Sequence, residues 1–130
     1  MSPEHAMEYF EALASMPART RITRQDGTPR TLKDFYAVTI GMCRTAHDSG
    51  NTIHFIGNGG SAAVASHMAN DFCKNGGLRS RAHNDASALT CLANDYSFDE
   101  VFARQVEMHA AAGDVVIAIS SSGSSQNILK

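Results

Sequence analysis

Apolar residues recur at helical spacing near the start of the chain. Met7, Phe10, Leu13 and Met16 form a narrow stripe behind Ser2 as N-cap, Pro3 at the first helical position and Glu4 in the first turn. Pro17 is expected to stop this helix, and residues 17–30, with Asp26-Gly27 and Pro29, read as a connecting loop. A second helix is predicted over 31–49, opened by Thr31 and Asp34, striped by Phe35, Val38, Met42 and Ala46, and stopped by Gly50. Residues 52–56 are rich in strand formers and break at Gly57; residues 61–75 predict a third helix ending at Gly76-Gly77. The polar stretch 78–84 is at best an edge strand. Asp85 caps a short helix carrying Ala86, Leu89 and Leu92 on one face. Ser97 and Glu100 form a capping box for a helix that ends before Gly113. Residues 114–119 are a continuous apolar run, expected to be buried on both faces of a parallel sheet, and a further helix begins near Gln126.

Strands alternating with helices predict an α/β fold: a doubly wound parallel sheet flanked by helices and joined by right-handed crossovers. Such sheets usually have about five strands. Three are in sight here, so the chain reads as the N-terminal portion of a longer, C-terminally truncated domain. Val115, Ile117 and Ile119 are then expected to have an uncovered flank.

Composition narrows the classes. With 130 residues, 43% hydrophobic and 18% charged, the chain has material for one core and too little charge for disorder. A net charge of −2 and a pI near 6.3 provide no basic field for nucleic acid or anionic lipid. The local cluster of Arg19, Arg21, Arg24 and Arg30 reads as a solvated loop. Cys43, Cys73 and Cys91 are odd in number, lack CxxC spacing and sit in apolar stretches, which suits a reducing compartment. With no signal-like start and no apolar run near the ~20 residues of a membrane span, a cytoplasmic protein is expected.

Two loops share one geometry. The strand at 52–56 feeds Gly57-Asn58-Gly59-Gly60-Ser61 and a helix; the strand at 114–119 feeds Ser120-Ser121-Ser122-Gly123-Ser124-Ser125 and a helix. Helix N-termini present unpaired N–H groups, glycines admit a ligand close to the backbone, and serine hydroxyls add donors without bulk. Neither loop is a P-loop or a GxGxxG fingerprint, which disfavours an NTPase or a nicotinamide fold. A phosphate or sugar-phosphate site is the reading that remains, against a pair of ordinary tight turns. His67, Asp71 and Lys74 share one face of the third helix. That spacing suits two metal ligands, an acid–base pair or a plain surface ion pair. Asn94-Asp95 is placed in a loop before Tyr96.

The segments GNGGSAAVASH (57–67), ANDYSFDEVFARQVE (93–107) and GDVVIAISSSGSSQNILK (113–130) resemble the SIS (sugar isomerase) domain of phosphoheptose isomerases. The resemblance covers roughly residues 31–130. It implies a Rossmann-like three-layer fold and a ketose–aldose isomerase interconverting sedoheptulose 7-phosphate and D-glycero-D-manno-heptose 7-phosphate at the start of bacterial heptose synthesis. Substrate contacts are implied at Asn58, Gly59, Gly60, Ser61, Asn94 and Asp95, with Ser120, Ser121, Ser122 and Ser125 holding the phosphate. His67 matches a helix histidine that is a zinc ligand in many members, and Asp71 matches the catalytic, metal-binding glutamate. Homodimers or tetramers are implied, and residues 1–30, the amphipathic helix and its loop, are the expected oligomerisation element beside an SIS portion at 31–130.

The chain departs from the family at three points. Asp71 is one methylene shorter than glutamate, Ser124 replaces a usual asparagine, and a late glutamine and second histidine have no counterpart within 130 residues. The expectations that follow are an inactive 130-residue chain and no metal in it, with zinc in a longer form. The alternative is a non-catalytic SIS module that binds phosphosugar or a protein partner, as in relatives that associate with a replication initiator.

Overall fold

In the computed structural model, residues 2–130 are described, and they cluster into two compact units, one ending at Ile40 and the other running from Gly41 to Lys130. In the first unit, α1 spans Pro3–Arg19, and the Ser2 hydroxyl accepts the His5 N–H at 3.4 Å. Pro17 lies inside this helix instead of ending it. A proline forfeits its own N–H bond and crowds the carbonyl four residues back. In the last turn only Ala18 and Arg19 follow, and the Thr20 hydroxyl donates to the Met16 carbonyl at 2.9 Å to close the end. No residue of α1 is buried.

The predicted loop 17–30 contains a short hairpin. β1 (Ile22–Thr23) pairs antiparallel with β2 (Pro29–Arg30) around Asp26-Gly27, and Asp26 Oδ1 accepts the Thr28 N–H at 2.9 Å. α2 spans Leu32–Asp48, opened by the expected Thr31–Asp34 exchange: the Asp34 N–H donates to Thr31 Oγ1 (3.1 Å), and that hydroxyl donates to Asp34 Oδ2 (2.7 Å). Its buried residues are Cys43 and Ala46. Phe35, Val38 and Met42 of the expected stripe are exposed.

The second unit is built on a parallel sheet ordered β4-β3-β5, with β3 at Ile53–Gly57, β4 at Ser80–Ala82 and β5 at Val115–Ile119. The polar stretch does supply an edge strand. α3 (Gly60–Lys74) connects β3 to β4; α4 (Ala86–Asp95), a 3-10 turn at Phe98–Glu100 and α5 (Val101–His109) connect β4 to β5; α6 (Gln126–Leu129) follows β5. Every residue of β3 is buried, and the pleat sends alternate side chains to opposite faces. Ile53 and Phe55 join Cys43, Ala65 and Ala69 on the α2–α3 face; Ile56 joins Leu92, Val101 and Phe102 on the α4–α5 face. These are the three expected layers.

Three local expectations change. β5 alternates between half-buried and exposed positions. Val115, Ile117 and Ile119 pack against the α3-side core, in register with β3, and the open flank belongs to Val116 and Ala118. Asn94 and Asp95 are the last two residues of α4, whose Asp85 cap (Ala88 N–H to Oδ1, 2.9 Å) carries the helix further than the Asx pair suggests. Ser97 makes no side-chain cap: the Glu100 N–H goes to the Ser97 carbonyl (3.1 Å), and the Glu100 carboxylate to Arg104 (2.7 Å) and Lys130 (2.9 Å).

Candidate functional site

The strand order decides where a ligand crevice can lie. From β3 the chain crosses to β4 on one side, then returns over the opposite face to β5 on the other. The loops leaving the C-terminal ends of β3 and β5 therefore diverge, and in open α/β sheets ligands bind at that switch point. The two glycine- and serine-bearing loops are the ones placed there.

In the first loop, Gly57 cannot carry a side chain, since a Cβ would lie 2.7 Å from the Ser61 carbonyl oxygen. Gly59 caps α3 with φ +53°, a conformation that favours glycine. The Asn58 carbonyl accepts the N–H groups of Ser61 (2.9 Å) and Ala62 (3.3 Å), which ties the loop to the start of α3. With the Ser61 and Ala62 N–H groups taken, the donors this helix end keeps for an anion are those of Gly59 and Gly60. Lacking side chains at Gly59 and Gly60, it offers them at close range.

The second loop is folded by its own serines. Ser120 Oγ accepts the Gly123 N–H at 3.1 Å, Ser122 Oγ accepts the Ser124 N–H at 3.2 Å, and Ser122 and Ser125 hydroxyls lie 3.4 Å apart. Ser121 and Ser122 are exposed, and Ser120 and Ser125 half-buried. α6 has four residues, so its dipole adds little. Hydroxyl and backbone donors are the loop's resource.

Asn127, which motif reading passed over, joins the two loops. Its Nδ2 donates to Asn58 Oδ1 at 2.9 Å, and Asn58 Nδ2 donates to Asn127 Oδ1 at 2.8 Å. Asn127 is buried. The signal was available only as an asparagine two residues beyond the serine loop.

His67 and Asp71 come together as the helical spacing requires, with Nε2 and Oδ2 at 3.3 Å, but both are open to solvent. Asp71 Oδ1 also accepts Asn75 Nδ2 at 3.0 Å. Lys74 makes no ion pair with Asp71 among the described residues, and no hydrogen bond joins His67 or Asp71 to either loop. One nitrogen and one carboxylate suit zinc chemically, but a tetrahedral site takes about four ligands. Among the described residues no group of three or more His, Cys, Asp or Glu could hold a metal, so this pair alone does not make a zinc site. At the end of α4, Asp95 Oδ1 accepts Asn94 Nδ2 (2.9 Å), and the Cys91 thiol approaches its other oxygen (3.4 Å). Hydrogen bonds from Asn94 and then Cys91 hold the Asp95 carboxyl below its ordinary range.

A polar cluster away from the loops was not legible at all. His54, in the middle of β3, places Nδ1 at 2.8 Å from His83 Nε2 and Nε2 at 2.9 Å from Asp114 Oδ2. Asp114 also accepts Asn51 Nδ2 and the N–H groups of Thr52 and Ala111. Burial raises the Asp114 carboxyl, but these hydrogen bonds outweigh it and hold it far below the usual range. His54 is thus paired through both ring nitrogens, and His83 Nδ1 is buried without a hydrogen-bond partner among the described residues. Burial first, then neighbouring His54, Arg81 and His109, push His83 down to about 4.

Residues 8–130 match the SIS domain family model. The chain belongs to the SIS domain family. A phosphoheptose isomerase of Citrifermentans bemidjiense is 49% identical over 95 residues, covering 68% of this chain and 50% of that protein. A phosphoheptose isomerase of Rhodospirillum rubrum is 41% identical over 101 residues, covering 72% of this chain and 53% of that protein. Among solved structures, phosphoheptose isomerase GmhA from Neisseria gonorrhoeae superposes with a TM-score of 0.66 at 40% identity, covering 72% of this chain and 51% of that one. The chain thus spans about half the length of the relatives it matches. No helix among the described residues is long and apolar enough to cross a membrane.

Proposed function

We propose that this SIS chain serves a cytoplasmic phosphosugar isomerase that interconverts sedoheptulose 7-phosphate and D-glycero-D-manno-heptose 7-phosphate. The observation that supports this most is the meeting of two donor-rich loops at the switch point, linked by Asn58 and Asn127. Ser120, Ser121, Ser122 and Ser125 take the phosphate oxygens, and Asn58, Gly59, Gly60 and Ser61 face the sugar with Asn94 and Asp95. The reaction balances without a redox partner. A base removes a proton from C1 of the ketose, an enediol forms, and a proton returns to C2 while the O1 proton moves to O2. Asp71 is the base and His67 the acid in this reading, and hydrogen-bond donors steady the oxygen that gains charge. A zinc ion would find two of its ligands in the same pair. The exposed apolar side chains of α1, Met7, Phe10 and Leu13, serve a homodimer or tetramer interface.

The test is direct. Incubated with sedoheptulose 7-phosphate, with and without added zinc, a form carrying the full length of the relatives is expected to form the aldose phosphate, and the 130 residues alone are expected not to. A second reading, a non-catalytic phosphosugar-binding module, draws support from the solvent-exposed His67–Asp71 pair, which no hydrogen bond joins to the loops. Calorimetry separates the two: binding without turnover by the longer form under both zinc conditions establishes the binding module and removes the isomerase.

A further inference from the structure

We propose that Asn127 is a positioning residue of the phosphosugar crevice, latching the loop after β3 to the turn after β5 through its reciprocal amide pair with Asn58. This rests on the phosphosugar reading above. The two residues are 69 positions apart, yet each amide donates one N–H to the other's oxygen, at 2.8 and 2.9 Å. Both ends of the latch are anchored. The Asn58 carbonyl takes the Ser61 and Ala62 N–H groups, so a shift of Asn58 carries the start of α3 with it. Asn127 is 4% exposed, and its neighbour Ile128 packs on Ile56, Leu92, Val101 and Phe102.

The chemistry suits a site for a dianion. A salt bridge between the loops would repel or neutralise a phosphate, whereas two amides are uncharged and each keeps one further N–H to offer a ligand. The serine loop is otherwise held mostly by short-range bonds of its own: Ser120 to Gly123 and Ser122 to Ser124. Those set its shape but not its distance from Gly59 and Gly60. The Asn58–Asn127 pair sets that distance, and misplacement of a binding group by about 1 Å costs up to ~100-fold. Asn58 therefore acts as much by holding Asn127 as by touching sugar.

The experiment uses the 15N-labelled 130-residue chain and the variants Asn58→Ala, Asn127→Ala and their double, with Asn127→Asp as a second variant that keeps the shape of the side chain and loses its donor. Two readouts are taken. Without ligand, Asn127→Ala and Asn127→Asp are both expected to move the Gly59 and Gly60 amide resonances and the Asn58 side-chain NH2 pair, at unchanged circular dichroism. With sedoheptulose 7-phosphate, Asn127→Ala is expected to bind about tenfold more weakly, Asn58→Ala more weakly still because it also loses its sugar contact, and the double variant no more weakly than Asn58→Ala, because the latch is already cut. Unmoved Gly59 and Gly60 resonances in the Asn127 variants overturn the latch, as do single effects that multiply in the double variant. A wild-type chain that binds no sedoheptulose 7-phosphate overturns the function proposed above, and the ligand-free resonances still decide the latch.

Discussion

The two ends of the β3–β5 strand pair spend their polar groups in opposite ways. At the C-terminal end, Gly59, Gly60, Ser121 and Ser122 are exposed, and the serine hydroxyls bond within their own loop. Toward the N-terminal end, Asn51, Thr52, His54, His83 and Asp114 are bound to one another in a chain that crosses all three strands' segments, with His54 and His83 fully buried. A buried polar network is costly to break, since each member that loses its partner keeps the cost of leaving water. An exposed loop is cheap to change and free to meet a ligand. One end should govern stability and the other binding.

The largest test of that division is Asp114→Ala. It strips Asn51, Thr52 and Ala111 of their acceptor and leaves His54 without its carboxylate, so unfolding in urea should show a loss of about 3–5 kcal/mol. Phosphosugar affinity of the folded fraction should stay at the wild-type level. Loss of affinity with stability intact would reverse the comparison.

Acid probes the same end. His83 is held down to about 4 when folded, below its ordinary 6.5, so the unfolded chain binds the proton first. Stability is therefore complete above pH 6.5 and falls by roughly 2–3 kcal/mol as the pH drops toward 4. The depressed Asp114 carboxyl works in a lower window: its contribution is present above its ordinary 3.8 and is lost below that. Thermal melts across this range should show the upper step, and His83→Phe should remove it. A melt profile flat from pH 7 to 4.5 would contradict the network as described.

At the other end, Ser120→Ala with Ser122→Ala should weaken sedoheptulose 7-phosphate binding about tenfold, or ~1.4 kcal/mol, measured calorimetrically. Stability should move by no more than about 0.5 kcal/mol, as for other surface changes. A smaller effect again is expected from His67→Ala. Its pair with Asp71 is an exposed i,i+4 contact, worth about 0.3–0.5 kcal/mol at most in a urea melt, whatever the variant does to turnover.

Much of this was legible along the chain because its causes are local. Ser2, Thr31 and Asp85 start the helices they were expected to start, since a cap is a side chain bonding an N–H three residues on. The β3 and β5 strands and the glycine- and serine-bearing loops after them follow from apolar runs broken by glycine and serine. Reading failed where a local signal met a competing contact. Glu100 left the Ser97 box for Arg104 and Lys130, Pro17 was tolerated because a helix end has few bonds to lose, and Asn94-Asp95 stayed helical under the Asp85 cap.

The sequence by itself determined the class of fold, the order of its elements and the chemistry of its two loops, because strand and helix periods, caps and glycine breaks act over a few residues. Tertiary structure alone decided which loops face each other and which polar residues disappear from water. Asn58 meets Asn127 across 69 residues, and His54 meets His83 and Asp114 across 29 and 60. No periodicity encodes those distances. They exist because the chain winds from β3 out to β4 and back over to β5, which sets together residues that the sequence keeps far apart.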